Sequence, residues 1–187
     1  MFRIPMALLA LALALPSAAP ISAASDADRA PAVKSLYVGH NTRPIKSLTQ
    51  NEIDDLLAGN GAGLALAAEL NGYPGPRHVL ELADALALDA TQLRATRRLR
   101  DDMQARASAL GREIVEVETA LDRAFALQTI DRADLQRRTA KIAALAGQLR
   151  AVHLEAHLAQ RALLSESQNA RYAERRGYGA GGGHGHR

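Results

Sequence analysis

His153 and His157 stand four positions apart in the run His153-Leu154-Glu155-Ala156-His157, within a stretch of helical periodicity. On a helix that spacing puts both imidazoles on one face, where they could share a Zn²⁺, Cu²⁺ or Ni²⁺ ion. Glu155 points away from the pair, so this is not the His-Glu-x-x-His arrangement of a zinc protease. If the helix folds back on its predecessor near Thr129, His157 falls level with Asp101 and Asp102. One of those carboxylates could then complete a three-ligand site. As purely structural residues, the two histidines would be solvated or ion-paired on a polar flank. His184 and His186 sit on a glycine-rich tail, where they could bind the same metals weakly or be incidental. His40 and His78 stand alone. No cofactor is required by anything in the sequence.

A second cluster is basic. Arg94, Arg97 and Arg98 occupy overlapping faces at i, i+3 and i+4, and Arg106 and Arg112 extend the basic character along the same segment. Arginine stems cover apolar surface while their heads pair with carboxylates, which suits loose binding of partly unfolded chains. The alternative is a solvated helix face with local ion pairs to Asp101 and Asp102. Cations in a helix's first turns oppose its dipole, so the placement is slightly costly without a partner. Catalysis finds no support: there is no glycine-rich phosphate loop, and no serine has His and Asp partners in a suggestive order. The chain reads as a non-enzyme.

Three capping signals mark where helices begin. Leu48-Thr49-x-x-Glu52, Leu88-Asp89-x-x-Gln92 and Leu164-Ser165-x-x-Gln168 each place a short oxygen-bearing residue three positions before Glu or Gln. Ile53 and Leu93 can staple onto the preceding leucines, whereas the third copy has Asn169 there. The periodicity predicts short helices over 50–58, 64–70 and 77–86, with the turn Asn71-Gly72-Tyr73-Pro74-Gly75-Pro76 before the last. Two long helices follow, over 90–127 and 132–163. Met103, Ala107, Leu110, Ile114, Val117, Leu121 and Ala124 form an alternating four-three seam on the first. Ile142, Leu145, Leu149, Val152, Ala156, Ala159 and Leu163 do so on the second. The first helix would be roughly 55 Å long at about 1.5 Å per residue. The short connection 128–131, with Asp131 as a cap, makes the two antiparallel. A last helix runs over 166–176. The expected fold is all-α, a long antiparallel helical hairpin with short flanking helices. One face of each long helix stays uncovered, which a second copy could cover in a homodimer.

The ends frame this domain, which spans 49–176. Residues 1–24 resemble a secretory signal peptide: Arg3 precedes an apolar run ending at Leu15, and Ser22-Ala23-Ala24 offers a cleavage site before Ser25. That run is shorter than the roughly 20 residues a membrane span needs, so no stable anchor is expected after cleavage. The product would be exported, and a periplasm fits. Residues 25–48, polar and containing Pro31 and Pro44, read as an extended or disordered arm, and 177–187 as a disordered Gly/His tail. The chain has no cysteine, which excludes a disulfide scaffold and a thiol catalyst. Its formal net charge of +3 falls by one when Arg3 leaves with the leader, which gives no argument for nucleic acid.

Long α-hairpins bracketed by Leu-Thr-x-x-Gln motifs in an exported chain of this size resemble the CpxP/Spy family of periplasmic stress proteins, which includes zinc-resistance-associated and heavy-metal-resistance relatives. Leu164-Ser165-x-x-Gln168 matches with Ser for Thr. Leu88-Asp89-x-x-Gln92 has Asp at the cap, and Leu48-Thr49-x-x-Glu52 has Glu for Gln. The resemblance covers roughly residues 89–176. It implies a bent, cradle-like all-α dimer. It further implies a role as an ATP-independent chaperone, an adaptor restraining a sensor kinase, or a metal-binding protein.

Overall fold

A computed structural model of the chain describes residues 34–178. The expected leader, residues 25–33 of the arm, and His184 and His186 lie outside the described residues. Tyr37–Arg187 forms a compact unit separate from Met1–Leu36, and the description below concerns that unit. Every described element is helical: α1 (Gln50–Ala58), α2 (Leu66–Glu69), α3 (Pro76–Glu81), α4 (Ala90–Ala126), α5 (Arg132–Leu163) and α6 (Glu166–Arg175).

All three capping boxes form. The Thr49, Asp89 and Ser165 side chains accept from the N3 amides of α1, α4 and α6, and Glu52, Gln92 and Gln168 reach back to the cap amides. Asp131 caps α5 by accepting from the Asp134 N–H at 2.7 Å. Asn169, where a staple residue would stand, donates instead to the carbonyls of Arg161 and Leu164.

The second and third boxes are also joined to each other. Gln92 Nε2 donates to Gln168 Oε1 at 2.8 Å, and Gln168 Nε2 donates to Gln92 Oε1 at 3.0 Å. Each amide donates once more across the junction, Gln92 to the Leu163 carbonyl and Gln168 to the Leu86 carbonyl. The motif glutamines thus cap their own helices and clamp the start of α4 to the start of α6. A double-mutant cycle of Gln92→Ala and Gln168→Ala in urea denaturation is expected to give a coupling energy of about 0.5–3 kcal/mol. Strict additivity would mean that the pair does not act as one unit.

The hairpin is antiparallel. Thr96 meets Gln160, Arg106 meets Glu155, and Glu113 meets Lys141 along its length. Its core is Ala107, Ile114, Leu145, Leu149 and Val152, with Met103, Leu110 and Val117 packed against it. The seam departs from expectation on α5, where Ala159 is exposed and Gln160 is fully buried. A straight helix of about 3.6 residues per turn drifts off a seven-residue repeat. In addition, α2 and α3 pack on α5, which brings His153 and His157 inside.

Helix α1 crosses α4 at close range. Its C-cap Gly59 is left-handed, with φ 71°, and Gly111 of α4 lies under Leu56. Gln104 and Ser108 of α4 donate to the last carbonyls of α1, Ala58 at 3.1 Å and Leu57 at 2.6 Å. These satisfy acceptors that a helix end leaves open. A second core of Val79, Leu86, Leu164 and Tyr172 joins α3 to α6. Helix α3 ends at Glu81 rather than at Leu86, with turns continuing to Ala87, a residue at φ 51°.

The stretch before α1, expected to be an extended arm, is folded in turns from Tyr37 onward, with a 3-10 turn at His40–Thr42. Ile45 is buried, Lys46 pairs with Asp122 at 2.9 Å, and Ser47 donates to Glu118. Lys46 and Ser47 thereby fasten to α4, and apolar burial at Ile45 outweighs the disorder its polar neighbours suggest.

Candidate functional site

Glu69 is the last residue of α2 and is buried, an acid side chain that needs partners to stay there. Five groups surround it. Tyr172 of α6 donates its hydroxyl to Oε1 at 2.5 Å, and the Gly75 amide donates to Oε2 at 3.2 Å. Arg176 Nε stands 3.5 Å from Oε1, His78 Nδ1 stands 3.6 Å from Oε1, and His157 Nδ1 stands 3.8 Å from Oε2. Burial, reinforced by the neighbouring carboxylate, pushes the Tyr172 phenol far above its ordinary range, so it remains a donor.

The same residues hold the turn at 71–76. His157 Nδ1 lies 2.7 Å from the Tyr73 carbonyl. A carbonyl only accepts, so Nδ1 carries a proton in this contact. The His157 ring packs on Gly75, where a Cβ would stand 2.9 Å from Cε1. Arg161 donates to the Gly72 carbonyl and lies over the Tyr73 ring at 5.0 Å. Glycine at position 75 is therefore a packing requirement of the site.

Beside this clasp opens a cleft of about 490 Å³, within the size range of small-molecule sites. One wall is the loop Gly59–Gly63, in which Ala62 adopts φ 38°. Glu69, His78, Arg100, Met103, His153 and His157 face it from the other elements. His153 is 3% exposed, and its Nε2 is buried with no hydrogen-bond partner. Burial, with a smaller contribution from His157, holds the His153 imidazole below its ordinary pKa, so it stays neutral.

A group that binds fewer protons when folded makes stability fall with acidity. The loss from His153 sets in as pH drops through its unfolded pKa of about 6.5 and levels off below the depressed folded value. Urea midpoints at pH 7.5 and 5.5 should therefore differ less in His153→Leu than in the parent. An unchanged difference would overturn this assignment.

The structure brings His153 and His157 to one cleft, but the carboxylate beside them is not the expected one. Asp101 and Asp102 are exposed and do not line the cleft, and Asp101 is held by Arg100 at 2.5 Å. Glu69 takes that place because α2 packs on this side of α5. The histidines are accordingly buried, not on a polar flank. His78, which stands alone in the sequence, joins them. Among the described residues no three His, Asp or Glu side chains are grouped so as to hold a metal ion.

The basic residues Arg94, Arg97, Arg98, Arg106 and Arg112 are all exposed. Arg94 donates to Thr91, Arg106 pairs with Glu155 at 3.0 Å, and Arg112 donates to Ser108, which in turn holds α1. Arg97 and Arg98 form no ion pair among the described residues. Leu88, Asp89 and Gln92, with Leu164, Ser165 and Gln168, form the clamp between α4 and α6. Glu69 and Tyr172 escape a reading of the sequence by spacing. Their traces are a lone acid in the apolar run 64–70 and one of only four tyrosines.

No family model, curated protein or solved structure matches this chain.

Proposed function

We propose that the chain is an exported helical-hairpin stress protein of the CpxP/Spy type that binds partly unfolded envelope proteins without nucleotide. The observation that carries this reading is a surface where large apolar side chains and arginines are exposed together. Leu57 is 41% exposed at the end of α1, joined through Ser108 to Arg112, and Leu66 at the start of α2 and Leu70 just past its end are both exposed. Exposed apolar surface rimmed by polar groups marks interaction sites, and flexible arginines adapt to varied clients. The working form is a homodimer in the periplasm, non-enzymatic, with no nucleic-acid partner. The same surface suits an adaptor docking on the periplasmic domain of a sensor kinase.

The test is light scattering of a chemically denatured client diluted into buffer with stoichiometric chain and no ATP. Slowed aggregation, weakened in an Arg94→Ala, Arg97→Ala, Arg98→Ala variant, supports the reading. Unchanged aggregation rejects it.

A second reading is a periplasmic Zn²⁺, Cu²⁺ or Ni²⁺ binding or sensing protein, favoured by the two imidazoles on one cleft and the partnerless Nε2 of His153. The described residues do not offer a ready ligand set, so binding would have to draw Glu69 from its clasp or take solvent as further ligands. Calorimetric titration of each metal, with and without residues 177–187, separates the cleft from His184 and His186. Binding that survives loss of the tail and disappears in His153→Ala, His157→Ala supports it.

A further inference from the structure

The turn end of the hairpin carries apolar side chains that no other described element covers. Phe125 and Leu127 are 54% and 59% exposed, Leu135 is 37% exposed, and Ile130 between them is half-buried. The last tie from the rest of the fold is Lys46 on Asp122, about one turn before Phe125. A turn joining two helices normally carries polar residues. Here leucine and isoleucine flank Gln128 and Thr129.

The charges around this tip are not equally available. Asp122 is held by Lys46, Asp134 by Arg137 and Arg138, and Asp131 is engaged as the cap of α5. Arg123 and Arg132 are exposed and form no ion pair among the described residues. Cations outnumber anions here: Lys46, Arg123, Arg132, Arg137 and Arg138 against Asp122, Asp131 and Asp134.

We propose that this tip inserts into an anionic lipid surface. Phenylalanine and leucine would enter the boundary between headgroups and acyl chains, while the arginines behind them stay at the phosphates. Shape favours this occupant over a folded protein. The convex end of two helices, each about 10 Å across, offers little area to a rigid partner, and stable protein interfaces bury about 800 Å² on each side. A fluid bilayer closes around a protrusion. No described helix is long and apolar enough to cross a membrane, so the contact would be peripheral. The inference does not rest on client capture, and either could fail without the other.

The test uses the chain from Ser25 onward, which keeps the whole compact unit Tyr37–Arg187 and removes the apolar leader. The sequence has no tryptophan, so Phe125→Trp supplies a single reporter. Vesicles of phosphatidylglycerol and phosphatidylethanolamine should shift its emission to the blue and allow quenching by brominated lipid. Partition should be at least tenfold stronger than onto phosphatidylcholine. Leu127→Ser with Leu135→Ser should lower partition at least tenfold, and Arg123→Gln with Arg132→Gln should remove the preference for anionic lipid. These positions are exposed, and unchanged thermal melts would verify that the variants fold. Three results would overturn the proposal. One is no shift on anionic vesicles, and another is an equal shift on neutral ones. The third is a shift that appears without lipid as protein concentration rises, which would assign the tip to a second copy.

Discussion

Replacing Gly111 by alanine should lower the urea midpoint of the folded chain, although the same exchange inside an unconstrained helix stabilises by about 0.8–1 kcal/mol. The sign reverses because of what lies above the residue. A Cβ built on Gly111 would stand 1.9 Å from the Leu56 carbonyl oxygen and 2.5 Å from its carbon. These are backbone atoms at the end of α1, held in turn by Gln104 and Ser108 of α4. They cannot rotate away as a side chain would, so α1 must lift from α4. Overpacking of this kind costs about 1–3 kcal/mol, occasionally more. Gly147 is the control. It lies within α5, is exposed, and its Cβ would meet nothing within 4 Å. Gly147→Ala should therefore stabilise by about 0.5–1 kcal/mol. Opposite signs at the two glycines would confirm the close crossing of α1 over α4, and the same sign at both would refute it.

Replacing Glu69 by alanine should destabilise the chain by about 2–4 kcal/mol, since a buried group stripped of its partner loses about 1–3 kcal/mol and more than one group is stripped here. The Tyr172 hydroxyl and the Gly75 amide both lose their acceptor. Arg176 contributes less to this figure, because its side chain is 32% exposed and solvent screens it. The loss should be local before it is global. Glu69 ties α2 to α6 and to the turn at 71–76, so amide exchange of Gly75 and of α6 should accelerate more than exchange within the α4–α5 core. Glu69→Gln, which keeps one acceptor oxygen, should fall between alanine and the parent. Parent-like exchange at Gly75 in the alanine variant would show that the carboxylate is not the centre of the clasp.

The two variants probe features that were unequally visible before folding. Gly111 stands out as the single glycine of a long helical run. What it approaches cannot be read there, because α1 and α4 meet through a crossing that no repeat encodes. Glu69 is less visible still, since its partners Tyr172 and Arg176 lie more than a hundred residues away. His153 and His157 were legible as a pair because i, i+4 spacing on a helix is local geometry. Their burial was not, because it depends on α2 and α3 packing on α5.

By itself the sequence determined the local events. Capping oxygens at Thr49, Asp89, Asp131 and Ser165 set where helices start. Apolar periodicity set which face of α4 meets α5, and the four-residue link made the hairpin antiparallel. Each of these involves residues within a turn or two of one another, where backbone hydrogen bonds and side-chain spacing leave few choices. Only the tertiary structure decided the rest. It paired Gln92 with Gln168, put Glu69 rather than Asp101 or Asp102 beside the histidines, fastened Lys46 and Ser47 to α4, and turned Gln160 inward in place of Ala159. These contacts join residues far apart in the chain, and they follow from which helices pack together and at what angle. Burial then selects the partner that satisfies each polar group.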